Sequence, residues 1–127
     1  MAKIAVVDDE PDVIDLVRIV LEQDGHTVLD APDGKAGLIL IRRELPDIII
    51  LDVMMPEMDG YTLNTHLLED DAIKKIPVII LTSKDKVRSL FHQAANVVSF
   101  IDKPFEPQVL KNAIREIILQ KKHGRNN

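Results

Sequence analysis

The stretch that most limits how this chain can fold is Ile48–Leu51, an unbroken run of branched apolar residues that passes directly into Asp52 and then into the turn-rich segment VMMPEMDG. A strand with water on one face alternates polar and apolar residues. A strand covered on both faces reads as a continuous apolar run, as in the parallel sheets of α/β proteins. Asp52 then stands at the carboxyl end of such a strand. In open parallel sheets that edge opens on the crevice where ligands bind, so a carboxylate emerging there is placed for chemistry. Taken alone, Asp52 reads equally well as a solvated aspartate opening a loop; the rest of the chain decides between the two.

The same pattern recurs along the chain. Lys3–Val7 is apolar and ends in Asp8, Asp9 and Glu10, and Pro11 then suits the first turn of a helix, where its missing N–H is not needed. From Asp12 to Asp24, Asp12, Asp15, Arg18 and Glu22 recur every three to four positions against Val13, Ile14, Leu16, Val17, Val20 and Leu21, which predicts an amphipathic helix closed by Gly25. His26–Ala31 reads as a second strand. Asp33-Gly34 is a turn leading into a helix over Lys35–Leu45, with Leu38, Ile41 and Leu45 on one face; Gly37 inside it costs about 1 kcal/mol relative to alanine. After the central strand, Asp59 caps a third helix whose buried residues are expected to be Tyr61, Leu63 and Leu67.

Lys75-Ile76-Pro77 precedes a fourth apolar run, Val78–Leu81, which stops at Thr82. Val87, Leu90, Phe91 and Ala94 follow at helical spacing, Val97–Ile101 makes a fifth strand ending before Asp102, Lys103 and Pro104, and Pro107 opens a last helix. Val109, Leu110, Ala113, Ile114, Ile117 and Ile118 form the stripe of that helix. Five strands alternating with five helices imply a parallel sheet with right-handed crossovers, a (βα)5 flavodoxin-like three-layer sandwich of strand order 2-1-3-4-5.

Composition narrows the function. At 127 residues the chain suits one core, with no room for a second domain, and with aromatics at 3% that core must be aliphatic. No cysteine is present, which excludes a disulfide framework, a thiol nucleophile and thiolate metal sites. The start, MAKIAVVDDE, meets acids too early for a signal peptide, and no apolar run approaches the ~20 residues of a membrane span, so a cytoplasmic protein without membrane contact is expected. A net charge of -5 argues against direct nucleic-acid binding.

With that strand order, one sheet edge collects Asp8, Asp9, Asp52, Thr82 and Lys103. Carboxylates about 4 Å apart repel by roughly 4 kcal/mol per pair at an effective dielectric of 20, so such a group calls for a cation. A hard, oxygen-preferring ion that keeps several waters, Mg²⁺ above all, answers that need, and Lys103 adds a mobile positive charge. A carboxylate beside both can act as a nucleophile toward a phosphoryl group, because the cations offset charge on the transferring oxygens.

This constellation resembles the receiver domain of bacterial two-component response regulators, of the chemotaxis-regulator kind: an acidic pair after strand one, the aspartate of DVMMPEMDG after strand three, a threonine after strand four, and Lys103-Pro104-Phe105 after strand five. The likeness runs over nearly the whole chain and implies a receiver domain over residues 1–121 with a polar tail at 122–127. It implies Asp52 as the phosphoacceptor, with Mg²⁺ held by Asp9, Asp52 and the backbone carbonyl of Met54, and by Asp8 through water. It further implies that Lys103 and the backbone N–H groups of Val53 and Ser83 bind the phosphoryl oxygens. Thr82 and Phe100 are the implied switch: Thr82 moves to the new oxygens, Phe100 rotates into the vacated space, and the surface of helix four, strand five and helix five changes. Phosphorylation drives this by adding about -1.5 to -2 charge and strong acceptors to a donor-rich site. The Lys103-Pro104 bond is implied to be cis. The partners implied are a sensor histidine kinase or phosphotransfer protein, and an effector protein or output domain, the chain being a monomer or a phosphorylation-dependent dimer. In that role it is a phosphoacceptor with slow autodephosphorylation, not an enzyme in its own right.

Some residues depart from the family pattern. Phe100 stands where many receivers carry Tyr, so packing without a hydroxyl must do the switching. Asn96, Val97, Val98 and Ser99 replace a frequent Gly-Ala-Asp-Asp; Asn tolerates the turn, but the missing acidic pair speaks against the charged dimer interface of winged-helix regulators. Met54 and Lys84 lie where side chains tune phosphoryl lifetime. A phosphohydrolase with an aspartyl intermediate would share Asp, Lys and Mg²⁺ but wants a second aspartate two residues on, where Met54 stands; a degenerate receiver would lack site residues that are present here. His26, His66, His92 and His123 read as surface or boundary residues without a metal role. Arg115, Lys121, Lys122 and Arg125 read as a solvated helix end, and Met54, Met55 and Met58 as turn and packing residues.

Overall fold

Each apolar run forms a strand. The computed structural model describes residues 1–82, 85–91 and 93–122, the side chains of residues 85–87 excepted. In chain order the elements are β1 (Lys3–Val7), α1 (Pro11–Glu22), β2 (Thr27–Ala31), α2 (Gly34–Glu44), β3 (Ile48–Asp52), α3 (Gly60–Leu68), β4 (Val78–Thr82), a 3₁₀ helix (Asp85–Phe91), β5 (Val97–Asp102) and α4 (Pro107–Lys122). The strands pair in the order β2-β1-β3-β4-β5, every pair parallel. The flavodoxin-like architecture is therefore as the sequence implies.

Every residue of β3 and β4 is buried, as unbroken apolar runs require. Side chains alternate between the two faces, and each face has its own core. On one, Ile4, Val6, Ile48, Ile50, Ile79 and Leu81 meet α1 and α4 through Val17, Val20, Leu21, Leu110, Ile114 and Ile117. On the other, Ala5, Val7, Ile49, Leu51 and Ile80 meet α2 and α3 through Leu38, Ile41, Leu63 and Leu67, with Phe91 closing one end.

Local chemistry explains the helix ends. Pro11 opens α1 from an extended Glu10. The Asp33 carboxylate accepts from the N–H of Ala36 at 2.8 Å, and that of Asp59 from Thr62 at 2.7 Å. Gly37, unfavourable by helix propensity, is explained by proximity: a Cβ there would lie 2.8 Å from Val7 Cγ1, so glycine lets α2 press directly on β1.

Four expectations need correction. Among the described residues there are four α-helices, not five; the stretch after β4 winds as a 3₁₀ helix instead. Its i→i+3 bonding continues beyond the helix, with Ala94 N–H donating to Phe91 O and Val97 N–H to Ala94 O, and this tighter winding puts Phe91 inward while Leu90 faces water. Leu45 does not share the buried face of α2: it sits past the last turn in the left-handed region at φ 48° and is 56% exposed. Tyr61 is 46% exposed at the start of α3, covered on one side by Phe91, whose ring centroid lies 5.7 Å away edge-to-face. Val109 lies in the first turn of α4 to one side of the buried row Leu110, Ile114 and Ile117, and is exposed. The Nδ1 of His26 accepts from the N–H of Ala2 at 3.0 Å. No helix among the described residues is long and apolar enough to cross a membrane.

Candidate functional site

Four strand ends line the carboxyl edge. β1 and β3 are adjacent, which brings Asp8 beside Asp52, and β4 and β5 continue the edge with Thr82 opposite Asp102. Asp8 is fully buried: its N–H donates to Ala31 O, and its Oδ1 accepts from the N–H of Glu10 at 2.9 Å. Asp52 is 5% exposed, and Asp9 is exposed at the rim. The loop after Asp52 is clamped by α3, since the N–H of Gly60 donates to Val53 O at 2.8 Å. A Cβ on Gly60 would fall 2.3 Å from the carbonyl oxygen of Asp52, so only glycine lets the helix start this close to the strand end.

Lys103 reaches in from β5. Its N–H donates to Thr82 O at 2.8 Å, and its peptide bond to Pro104 is cis. The ammonium lies 2.7 Å from Glu10 Oε1, 2.9 Å from Asp8 Oδ2 and 3.4 Å from Asp52 Oδ1, with the side chain 13% exposed. One cation thus serves three carboxylates and stands furthest from Asp52.

Burial is the main influence on the acids. It pushes the Asp52 carboxyl up to about 6, the charge of Asp8 adds to the rise, and Lys103 opposes it. Burial likewise holds the Asp8 carboxyl above its ordinary value, against the hydrogen bond from Glu10 N–H and the pull of Lys103. For Lys103 burial pulls the ammonium down, but hydrogen bonds to Glu10 and Asp8 and the charges of Asp52 and Asp8 outweigh it, so the amine is held well above its usual range.

Asp8, Asp9 and Asp52 each offer a carboxylate oxygen within 4.8 Å of the others. All three donors are hard oxygens, and the buried Asp8 Oδ2 has the Lys103 ammonium against it at 2.9 Å. Donor type, the excess of negative charge and the mutual closeness of the oxygens all fit a small divalent cation.

Of the remaining residues singled out in the sequence, Thr82 is 1% exposed at the end of β4 and Val53 is buried behind Asp52. Met54 is exposed in the loop, and Met55 and Met58 pack on the core. Phe100 is half-buried, with its ring 6.3 Å edge-to-face from Phe91. Ser83, Lys84, His92, His123 and Arg125 lie outside the described residues. Sequence reading gave no role to Glu10, which is the nearest carboxylate to Lys103, although it stands in the same acidic run as Asp8 and Asp9. It also passed over Arg88, whose guanidinium lies 5.0 Å over the Phe100 ring and 3.1 Å from Asp102 Oδ1.

A flavodoxin-like parallel sheet whose carboxyl edge carries three convergent aspartates and one lysine places this chain among the signal receiver domains. It belongs to the response regulator receiver domain family, whose model matches residues 4–115. Protein PilH of Pseudomonas aeruginosa is 33% identical over 119 residues, which is 93% of this chain and 98% of that protein. The DNA-binding dual master transcriptional regulator RpaA of Synechocystis sp. is 35% identical across 93% of this chain, which spans only 49% of RpaA. Among solved structures, the chemotaxis protein CheY4 of Vibrio cholerae superposes with a TM-score of 0.85 at 27% identity, covering 92% of this chain and 98% of that one. Phosphorylation-based signalling is the function of the family, whose members are signalling proteins rather than enzymes in the usual sense. They bind Mg²⁺ at an acidic pocket and work with histidine kinases and output domains.

Proposed function

We propose that Asp52 is the phosphoacceptor of this receiver, taking a phosphoryl group from the phosphohistidine of a sensor kinase or phosphotransfer protein in the cytoplasm. The observation that carries the reading is the convergence of Asp8, Asp9 and Asp52 within 4.8 Å, with Lys103 3.4 Å from Asp52. An ionised Asp52 oxygen attacks phosphorus, the bond to the donor nitrogen breaks, and its electron pair leaves with the imidazole. Lys103 is already at the acceptor and needs only to exchange a carboxylate oxygen for a phosphoryl oxygen. The backbone N–H groups of Val53 and Ser83 complete the phosphoryl cradle.

Asp9, Asp52 and the Met54 carbonyl would hold Mg²⁺ directly, and Asp8 through water. Bound there, the metal offsets negative charge on the transferring oxygens. Thr82 follows the new oxygens, Phe100 moves into the space behind it, and the surface of the 3₁₀ helix, β5 and α4 changes for an effector protein or output domain. Slow attack by water on phosphorus breaks its bond to the Asp52 oxygen, releases orthophosphate and restores the carboxylate.

The test is intact mass after incubation with Mg²⁺ and acetyl phosphate. Wild type gains one phosphoryl group and Asp52→Asn gains none; no gain, or an equal gain in the variant, overturns the assignment.

A further inference from the structure

The chain has one tyrosine, three phenylalanines and no tryptophan, and three of these four rings stand in one row. Tyr61 meets Phe91 at 5.7 Å and Phe91 meets Phe100 at 6.3 Å, both edge-to-face. The row ends at a cation: the Arg88 guanidinium lies 5.0 Å from the Phe100 centroid and 3.1 Å from Asp102 Oδ1. Side chains two apart on a strand share a face, so Phe100 and Asp102 point the same way, with Ile80 and Thr82 opposite them in β4. Through Asp102, the residue before Lys103, Arg88 therefore fastens the sheet face that carries Thr82. Phe91, at 3% exposure, touches the buried side of the Phe100 ring, and Arg88, with 45% of its side chain exposed, covers a more open side.

From this geometry we infer that Arg88 is a positioning residue: with Asp102 it clasps Phe100 in its place before phosphorylation, and so sets how readily the Asp52 site switches. The inference rests on the phosphoacceptor reading above. Any rotation of the ring toward Thr82 takes it from under the guanidinium, whereas the Arg88–Asp102 pair remains on β5 and the 3₁₀ helix. The clasp opposes the switch by ring contact and leaves the acids and Lys103 untouched.

The experiment uses protein with ring-¹³C phenylalanine, in which three side chains give few signals to assign. Arg88→Ala is expected to move the Phe100 ring signal of unphosphorylated protein toward the position that acetyl phosphate and Mg²⁺ produce in wild type. Labelling by acetyl phosphate becomes roughly two- to fivefold faster, the size of shift that losing one exposed cation–π contact and ion pair gives a two-state element. Arg88→Lys keeps a cation over the ring and restores most of both readouts, and Asp102→Asn moves both in the direction of Arg88→Ala by less. A Phe100 signal unmoved by Arg88→Ala, an unchanged or slower labelling rate, or no rescue by lysine overturns the inference. If wild type takes no label, the phosphoacceptor reading fails separately; Phe100 in Arg88→Ala then still decides whether Arg88 holds the ring, a shift supporting the clasp and none overturning it.

Discussion

The two faces of the sheet are covered in different ways. Beneath α1 and α4 the fully buried core is aliphatic, built of Val, Ile, Leu and Ala on two regular helices, with the ring of Phe105 packed against it at its partly buried margin. Beneath α2, α3 and the 3₁₀ helix the aliphatic residues are joined by Phe91, the half-buried Phe100, Met55 and Met58, and one of the three covering elements is not an α-helix. That second face also holds a buried amide pair. Asn64 Nδ2 donates to Asn96 Oδ1 at 3.2 Å, and Asn96 Nδ2 to Asn64 Oδ1 at 2.7 Å, tying α3 to the start of β5. Close-packed aliphatic layers have few alternative arrangements, whereas rings, thioethers and a short tight helix have several. One face is a scaffold, and the other is where a change at Asp52 can be expressed.

The largest effect should come from breaking the scaffold. Leu21 is fully buried between α1 and the sheet, and Leu21→Ala is expected to cost about 2–5 kcal/mol in urea denaturation. The folded fraction should still label with acetyl phosphate, because Leu21 lies at the opposite end of α1 from Glu10, where that helix meets Asp8 and Lys103. Loss of labelling in fully folded Leu21→Ala would erase the division between faces.

Next comes the second face. Asn64→Ala leaves the Asn96 amide buried and unpaired, at about 1–3 kcal/mol. The mark of the expressive layer would be a wider response than Leu21→Ala gives, with perturbed resonances spreading along β5 to Phe100. Changes confined to α3 would make the amide pair merely a local fastening.

The smallest effect concerns the edge the two faces share. The Asp52 carboxyl sits at about 6 in the folded chain against an ordinary 3.8, so ionising it opposes folding. That penalty is fully present above about 6 and disappears as pH falls toward 3.8. In chelator, Asp52→Asn should therefore be more stable than wild type at pH 7, by about 1–2 kcal/mol after allowance for solvent at the rim, and the gain should shrink as pH is lowered toward 4. An equal gain at both pH values would mean that burial of charge is not its source.

How much of this the sequence discloses follows the same division. The strands, their order and the gathering of Asp8, Asp9, Asp52, Thr82 and Lys103 were legible, because strands buried on both faces leave unbroken apolar runs and their first polar residue marks the edge. Leu45, Tyr61 and Val109 were misplaced, since helical spacing finds a stripe but does not say where neighbouring elements stop covering it. The 3₁₀ winding was hidden for a related reason: Val87, Leu90, Phe91 and Ala94 fit a period of 3.6 as well as one of 3. Glu10 with Lys103, and Asn64 with Asn96, are partners across 93 and 32 residues, and polar pairs at such separations leave no periodic trace.

Lys103 arrives on the last strand of the sheet, long after Asp8 and Asp52 in the order of synthesis. A chain growing from the ribosome therefore carries its acids without their cation until β5 has docked. Until then the β1–β3 edge holds two carboxylates with no ammonium between them, which disfavours early closure of that edge. The last strand pair, β4 with β5, thus brings with it the charge that the earlier strand ends lack, and the contact that completes the site spans 93 residues from Glu10 to Lys103.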